Sequence, residues 1–291
     1  MRKNLTIDTG MKQLWPAARV GCFQYKVQVE KKNEEMWKYL KKDIFKKTKD
    51  AIFDYGVNEI PNIKESRAAY KAFGKDPSRY RVSSEALIRR IGQGKGLYEV
   101  NTVVDVNNLI SIESGFSVGS YDAGKIEENL VFRVGRPGET YKGIGKDDIN
   151  IEGLPVLADE KGAIGSSTSD SERAMITEDA VEVLTLVYSF SENKDLEKAM
   201  EYGRKYLETY AGAKEIYVFY NTIANAGSVY TKLGDNAETG PYSTNVSSIG
   251  YSHGEWSRIY NGEALSEDTD LTIRSADDGK ALEILTVLVI K

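Results

Sequence analysis

Between residues 33 and 54, apolar side chains return at three- and four-residue intervals, Met36, Trp37, Leu40, Ile44 and Phe45, with lysines between them. That spacing predicts a helix with one buried stripe and one wet face. From Leu97 to Val187 the helical period disappears. Short β-branched or apolar runs take over, among them Val103-Val104, Leu130-Val131-Phe132, residues 154–157 and residues 183–187, interrupted by Gly, Pro and Asp. Such runs predict a mixed sheet region.

Shorter helices are expected at Glu65 to Phe73, stopped by Gly74 and Pro77, and at Ser84 to Ile91, where Ser83 or Ser84 can cap the first amides. Helical periodicity returns over residues 194–209 through Leu196, Met200, Tyr206 and Leu207, and this helix is expected to close the first domain. After Gly212 the chain reads as short strands joined by Gly, Asn and Asp turns, including residues 216–220, Val229-Tyr230, residues 256–260, residues 271–273 and an apolar run at 284–290. The expected division is therefore a first domain over residues 1–211 and a β-rich segment of open role over 212–291.

Charge is spread unevenly. Residues 1–96 hold 22 Lys+Arg against 11 Asp+Glu, residues 97–211 hold 11 against 22, and residues 212–291 hold 6 against 11. A polyanion could use the basic front third, because neutralising phosphates supplies affinity independent of sequence. A solvated helix face is the plainer account of the same lysines. One cysteine, Cys22, excludes a disulfide framework within the chain and a cysteine-cluster metal site, and one histidine, His253, removes the usual zinc sets. No metal and no cofactor is expected. The N-terminus lacks the apolar run of a signal peptide, and no stretch approaches the length of a membrane span. A cytoplasmic protein is expected, with no membrane partner; oligomeric state stays open.

Familiar catalytic patterns do not assemble. Gly92, Gly94 and Gly96 follow no strong strand and precede no Lys-Ser/Thr pair, so they read as a flexible turn rather than a phosphate loop. The serine-rich run 166–171 has no histidine or nucleophile elbow beside it. Cys22 lies in an apolar strand and reads as a buried thiol. Asp170, Glu172, Glu178 and Asp179 crowd around Arg173. They could polarise water, but capping of a helix start by Asp170 or Thr177 is the preferred reading. No catalytic residue is assigned.

A different signal comes from the ordered segments Arg79-Tyr80-Arg81-Val82-Ser83-Ser84-Glu85-Ala86-Leu87-Ile88-Arg89-Arg90 and Asn101-Thr102-Val103-Val104-Asp105-Val106-Asn107-Asn108. They are followed by Gly119-Ser120-Tyr121-Asp122, Val134-Gly135-Arg136-Pro137-Gly138-Glu139, Ala158-Asp159-Glu160 and Ser169-Asp170-Ser171-Glu172-Arg173. In order and spacing these resemble the B3/B4 editing domain of the phenylalanyl-tRNA synthetase β subunit and its free-standing relatives, over residues 10–211.

The resemblance implies an α+β body with a B3/B4-like sheet core, flanking helices, and aminoacylated tRNA as partner. It implies hydrolysis of mischarged tRNA, where an activated ester needs only positioned water, oxyanion-stabilising amides and the neighbouring ribose hydroxyl. Asn107 and Asn108 fall on the family's polar pocket pair and would hold the amino acid or ribose. Gly119 falls where many synthetase copies carry histidine, and Tyr188 near the glutamate that contacts a tyrosine hydroxyl. Arg81, Arg89 and Arg90 would meet the tRNA. The expected activity is a trans-acting aminoacyl-tRNA deacylase, with a non-catalytic tRNA- or RNA-binding module as the alternative. Asn101 and Asp105 could instead fix a turn, and Arg173 could hold Asp170 or Glu172.

Overall fold

The computed structural model describes residues 2–221 and, beyond them, the strands Ser228–Leu233, Thr239–Ser243 and Leu271–Ser275. His253 and the runs 256–260 and 284–290 lie outside the described residues. The chain opens with strand β1 (Asn4–Ile7) and helix α1 (Thr9–Leu14), where Asp8 caps the Met11 amide. Strand β2 (Arg19–Lys26) follows, its interior fully buried.

The amphipathic stretch is helical throughout: α2 (Glu34–Tyr39) runs into α3 (Phe45–Tyr55) through a π-helical turn at Leu40–Ile44. Asn33 caps its first amides, and Met36, Trp37, Leu40 and Ile44 are buried as their spacing predicts. Helix α4 (Pro61–Ala72) places proline at its first position, where the missing amide costs nothing, and α5 spans Ser83–Gly92. Neither serine caps α5. The Ser83 amide instead donates to the Ser167 carbonyl at 2.8 Å, and the Ser84 amide to Ser117 Oγ at 3.3 Å, which pins the helix start to neighbouring segments.

Helix α6 (Thr102–Ser114) stands where the Val103-Val104 run predicts sheet. Asn101 starts it by accepting from the Val104 amide at 2.9 Å, and Asp105 accepts from the Val100 amide and the Trp37 indole. Asn101 and Asp105 therefore anchor a helix rather than a turn. Almost every side of α6 is buried, so its sequence shows no wet face and no amphipathic period.

Strands β3 (Ser117–Asp122), β4 (Asn129–Val134), the small hairpin β5 (Thr140–Lys142) and β6 (Asp148–Asn150), β7 (Pro155–Asp159), β8 (Gly162–Ser166) and β9 (Glu182–Ser189) come next. Helix α7 (Asp195–Tyr210) and strand β10 (Lys214–Tyr220) complete the continuous description. One sheet has the order β1-β4-β7-β8 and the other β10-β2-β9-β3. Strand β10, from the segment that sequence assigns to the C-terminal unit, pairs along β2 from Lys214↔Lys26 to Tyr220↔Gly21. Strands β11 (Ser228–Leu233), β12 (Thr239–Ser243) and β13 (Leu271–Ser275) form their own sheet, ordered β12-β11-β13.

The second sheet is covered on both faces. Its inward Phe23, Tyr25, Val183 and Val187 pack with Val106, Leu109 and Ile110 of α6 and Leu196, Met200 and Leu207 of α7. Its opposite face, Val20, Cys22, Leu184, Leu186 and Tyr188, packs with Leu5, Phe132, Val156, Leu157 and Ile164 of the first sheet. The period-two alternation of β2 and β9 decides which residue serves which core. The result is an α+β body, helices on sheet on sheet.

Candidate functional site

The period-two rule applied to β3 turns Gly119 and Tyr121 to the same face, and β9 runs antiparallel beside it with Ser117 opposite Tyr188. Glycine at 119 leaves room, and the Tyr121 phenol fills it: a Cβ on residue 119 would lie 2.6 Å from the Tyr121 hydroxyl. Gly165 of β8 yields space in the same way, since a Cβ there would collide with both the Tyr121 hydroxyl and Asp170 Oδ1. Across this gap Tyr121 donates to Asp170 Oδ1 at 2.7 Å, and Tyr188 Oη lies 2.7 Å from Tyr121 Oη as donor into the same chain. Tyr121 and Tyr188 are 0% and 1% exposed.

The electrostatics follow from this burial. Loss of solvent pushes the Asp170 carboxyl up to about 6, although the Tyr121 hydroxyl and the Ser166 amide both favour its charged form. Burial first, then the Asp170 charge, hold the Tyr121 phenol well above its ordinary range, so it stays a hydrogen-bond donor. Asp170 does not cap a helix. The short turn Glu172–Ala174 is capped by Ser171, whose Oγ accepts from the Arg173 amide.

Arg173 does not hold Asp170 or Glu172 through its guanidinium. It makes a bidentate pair with Asp159, at 3.0 and 2.8 Å, and donates to the Gly162 carbonyl. Burial alone would raise the Asp159 carboxyl, but Arg173 and the Glu127 and Lys161 amides hold it below the usual carboxylate range.

Asn107 and Asn108 sit on α6, not on a loop. Asn107 is buried and accepts from Ser120 Oγ at 3.0 Å; Ser120 in turn meets Thr185 Oγ1 at 2.5 Å, and Thr185 meets the Tyr25 hydroxyl at 3.0 Å. Ser120 alternates with Gly119 and Tyr121 along β3, so this polar chain lies on the helix-facing side of the sheet. The structure thus brings Gly119 and Tyr188 together between the sheets and places Asn107 across the sheet from them. Asn108 is half-buried on α6.

The arginines converge on a carboxylate of the chain itself. Glu85 of α5 is fully buried and takes ion pairs from Arg67 at 3.0 Å, Arg89 at 2.8 Å and, more distantly, Arg81 at 3.9 Å. Arg89 also donates to Asn58 Oδ1 at 2.7 Å. Arg90 donates to the Gly96 carbonyl and lies 4.3 Å over the Tyr98 ring, in the turn where Gly94 and Gly96 adopt φ of 71° and 63°. Among Arg67, Arg81 and Arg89, the Arg81 side chain is the most exposed, at 51%.

Asn107, Asn108, Gly119, Tyr188, Arg81, Arg89 and Arg90 all fall inside residues 65–212, which match the family described as the B3/4 domain. The chain belongs to the B3/4 domain family. The chain is 34% identical over 68 residues to a phenylalanine–tRNA ligase β subunit of Brucella abortus (strain 2308), covering 23% of this chain and 8% of that one. It is 32% identical over 98 residues to the same subunit of Nocardia farcinica (strain IFM 10152), covering 33% and 11%. These matches span about a tenth of the curated relatives' length. An N-terminal fragment of the phenylalanyl-tRNA synthetase β subunit from Pyrococcus horikoshii aligns over 80% of this chain and 57% of its own, at 14% identity and a TM-score of 0.39.

The B3/4 resemblance assigns pocket positions to Gly119 and Tyr188 and none to Tyr121, Asp170 and Gly165, which surround them. Tyr121 was within reach, because it stands two residues from Gly119 and strand alternation places both on one face. Asp170 stands in the carboxylate cluster and in one of the B3/4 motifs, but no local pattern pairs it with Tyr121. No helix among the described residues is long and apolar enough to cross a membrane.

Proposed function

We propose that this B3/4 protein is a cytoplasmic tRNA-binding module that retains the family's fold and recognises tRNA without hydrolysing an aminoacyl ester through the Gly119–Tyr188 position. The observation that carries this reading is the packing of the Tyr121 hydroxyl into the space beside Gly119. A side chain projecting from residue 119 has no room there, and the Tyr121–Tyr188–Asp170 chain already satisfies the polar groups that line the gap. The relatives' names supply the class of partner, and the excess of Lys and Arg in residues 1–96 supplies the phosphate affinity. The Lys38, Lys41, Lys42, Lys46, Lys47 and Lys49 side chains of the α2–α3 stretch are exposed residues of that front third.

A second reading, trans-acting deacylation, is favoured by one observation: Asn108, one of the two residues that fall on the family's pocket pair, is only half-buried and can meet a ligand at the α6 surface. One experiment separates the two. Purified protein is titrated with uncharged and aminoacylated tRNA across a salt series, and release of amino acid from a panel of mischarged tRNAs is timed against buffer. Binding that weakens steeply with salt, with no added release, supports the binding module; faster release of any amino acid supports deacylation. Absence of tRNA binding at low salt would overturn both.

A further inference from the structure

A cleft of about 570 Å³ opens on the helical side of the molecule, away from the Gly119–Tyr188 gap between the sheets. Its floor is apolar: Ile44 and Ala51 of the α2–α3 stretch, Ile60 before α4, Ile88 of α5 and Ile112 of α6. Tyr202 of α7 forms a wall. The π-helical turn at Leu40–Ile44 leads into the first lining residue, and Ile44, Lys47, Thr48, Ala51 and Tyr55 then follow along one helix face. π-turns of this kind recur at functional sites because the extra residue widens the helix locally.

The cleft is held open by a fixed joint. Gly115 ends α6 in the left-handed region, with φ of 76°, and a Cβ there would sit 3.3 Å from Ile60 Cγ2. Asn62 Nδ2 donates to the Ser114 carbonyl at 2.8 Å, while its Oδ1 accepts from Asn193 at 3.2 Å. These bonds lock the ends of α4 and α6 together at the cleft's polar edge, so the space does not depend on a side chain swinging aside.

The charges around the cleft are unequal in what they have left to bind. Glu59 pairs with Lys64 at 2.8 Å, Asp195 pairs with Lys198 at 3.6 Å, and Glu113 accepts from the Tyr206 hydroxyl at 2.6 Å. Lys47 lines the same cleft, and no ion pair or hydrogen bond engages it among the described residues. Among the described residues, Glu59 and Asp195 are thus paired with lysines and Glu113 is hydrogen-bonded to a phenol, while Lys47 is left without an ion pair or hydrogen bond. Small-ligand sites have this build: a concave apolar body of roughly 300–1,000 Å³ with a few polar groups that fix orientation.

We propose that this cleft binds a small apolar-bodied anion, a carboxylate whose hydrocarbon or aromatic part lies on the isoleucine floor and whose head group meets Lys47. The cleft shares Lys47 with the exposed lysines of the front third, but the proposal does not depend on tRNA binding. An aliphatic and an aromatic carboxylate share this chemistry, and the test distinguishes them.

The full chain is titrated with 1-anilinonaphthalene-8-sulfonate, an apolar-bodied anion whose fluorescence reports burial. The bound dye is then challenged separately with decanoate, with 1-naphthoate and with decyltrimethylammonium. Saturable one-to-one binding displaced by either carboxylate, but not by the cation, is expected, and the stronger competitor names the source. Lys47→Glu lies on the exposed rim and should weaken carboxylate competition at least tenfold. Ala51→Trp should abolish dye binding with the thermal unfolding transition retained. Should Ala51→Trp unfold the protein, Lys47→Glu decides alone. Displacement by the cation as readily as by carboxylates, unsaturable dye uptake, or unchanged competition in Lys47→Glu would each overturn the proposal.

Discussion

Tyr121 Oη donates to Asp170 Oδ1 across 2.7 Å, and this one bond ties an edge strand of the second sheet to the loop that follows β8 in the first. Among the described residues strand β3 has a single strand neighbour, β9, so its placement depends on contacts of this kind. Burial raises the carboxyl, and burial first, then the neighbouring carboxylate, keep the phenol protonated.

Asp170 should make stability depend on pH in a direction opposite to a salt-bridged carboxylate. Its folded pKa, about 6, lies above the ordinary 3.8. Between those values the folded state binds more protons than the unfolded state, so the group's contribution is full below about pH 4 and is lost as pH rises towards 6. The shift of about two units corresponds to an upper bound of about 3 kcal/mol. Asp170→Asn keeps an acceptor for Tyr121 and removes the titration. Denaturant unfolding of both proteins from pH 4 to pH 7 should show the variant gaining on the parent as pH rises. A difference that stays constant over that range would show that Asp170 does not titrate there.

Gly119 and Tyr121 should be energetically coupled. Gly119→Ala drives a methyl into the Tyr121 hydroxyl and should cost about 1–3 kcal/mol, the usual range for overpacking a close-packed interior. Tyr121→Phe should cost less on its own account of volume but leaves Asp170 without its phenolic donor. With the hydroxyl gone, the added methyl meets a ring carbon at 3.2 Å instead. The double variant should therefore be less destabilised than the sum of the single ones. Additive losses in urea unfolding would mean that the backbone of β3 shifts to absorb the methyl.

The arginines should divide between stability and RNA affinity. Glu85→Ala strips the shared partner from Arg67, Arg81 and Arg89 and should cost about 3–5 kcal/mol, as removal of one partner from a buried ion pair does. Arg81→Ala breaks only the long, exposed 3.9 Å contact and should change stability by less than about 1 kcal/mol. If Arg81 meets a phosphate, the same variant should weaken tRNA binding evenly across sequences and lower the salt slope by about one. A filter-binding salt series on the two variants checks both halves; unaltered affinity and slope for Arg81→Ala would remove this residue from the RNA surface.

What the sequence makes legible follows water. The α2–α3 stretch has one wet side, so its period shows, and β2, β4, β7 and β9 declare themselves by short apolar runs that end at turns. Helix α6 is hidden because solvent touches little of it: a helix buried on all sides spells the same string of Val, Leu and Ile as a buried strand, and only Asn101 three residues before the Val104 amide betrays its start. The candidate site divides in the same way. Gly119 and Tyr188 are reached through the B3/4 motifs, whereas the Tyr121–Asp170 partnership spans 49 residues and rests on loop geometry that no local pattern encodes. Arg173 shows the limit of proximity in sequence: its carboxylate neighbours at 170 and 172 are passed over for Asp159, which β7 delivers from 14 residues away.

The position of β2 sets a lower bound on any portable version of this fold. Residues 19–26 lie between β10 and β9 in the second sheet, well upstream of the stretch 65–212 that carries the B3/4 match. An excised piece cut to the matched boundaries would forfeit both β2 and β10 from that sheet and leave β9 with a raw hydrogen-bonding flank, an invitation to stick to other chains. Evolutionary kinship and mechanical self-sufficiency here have different borders, and an engineer borrowing the module must respect the wider one.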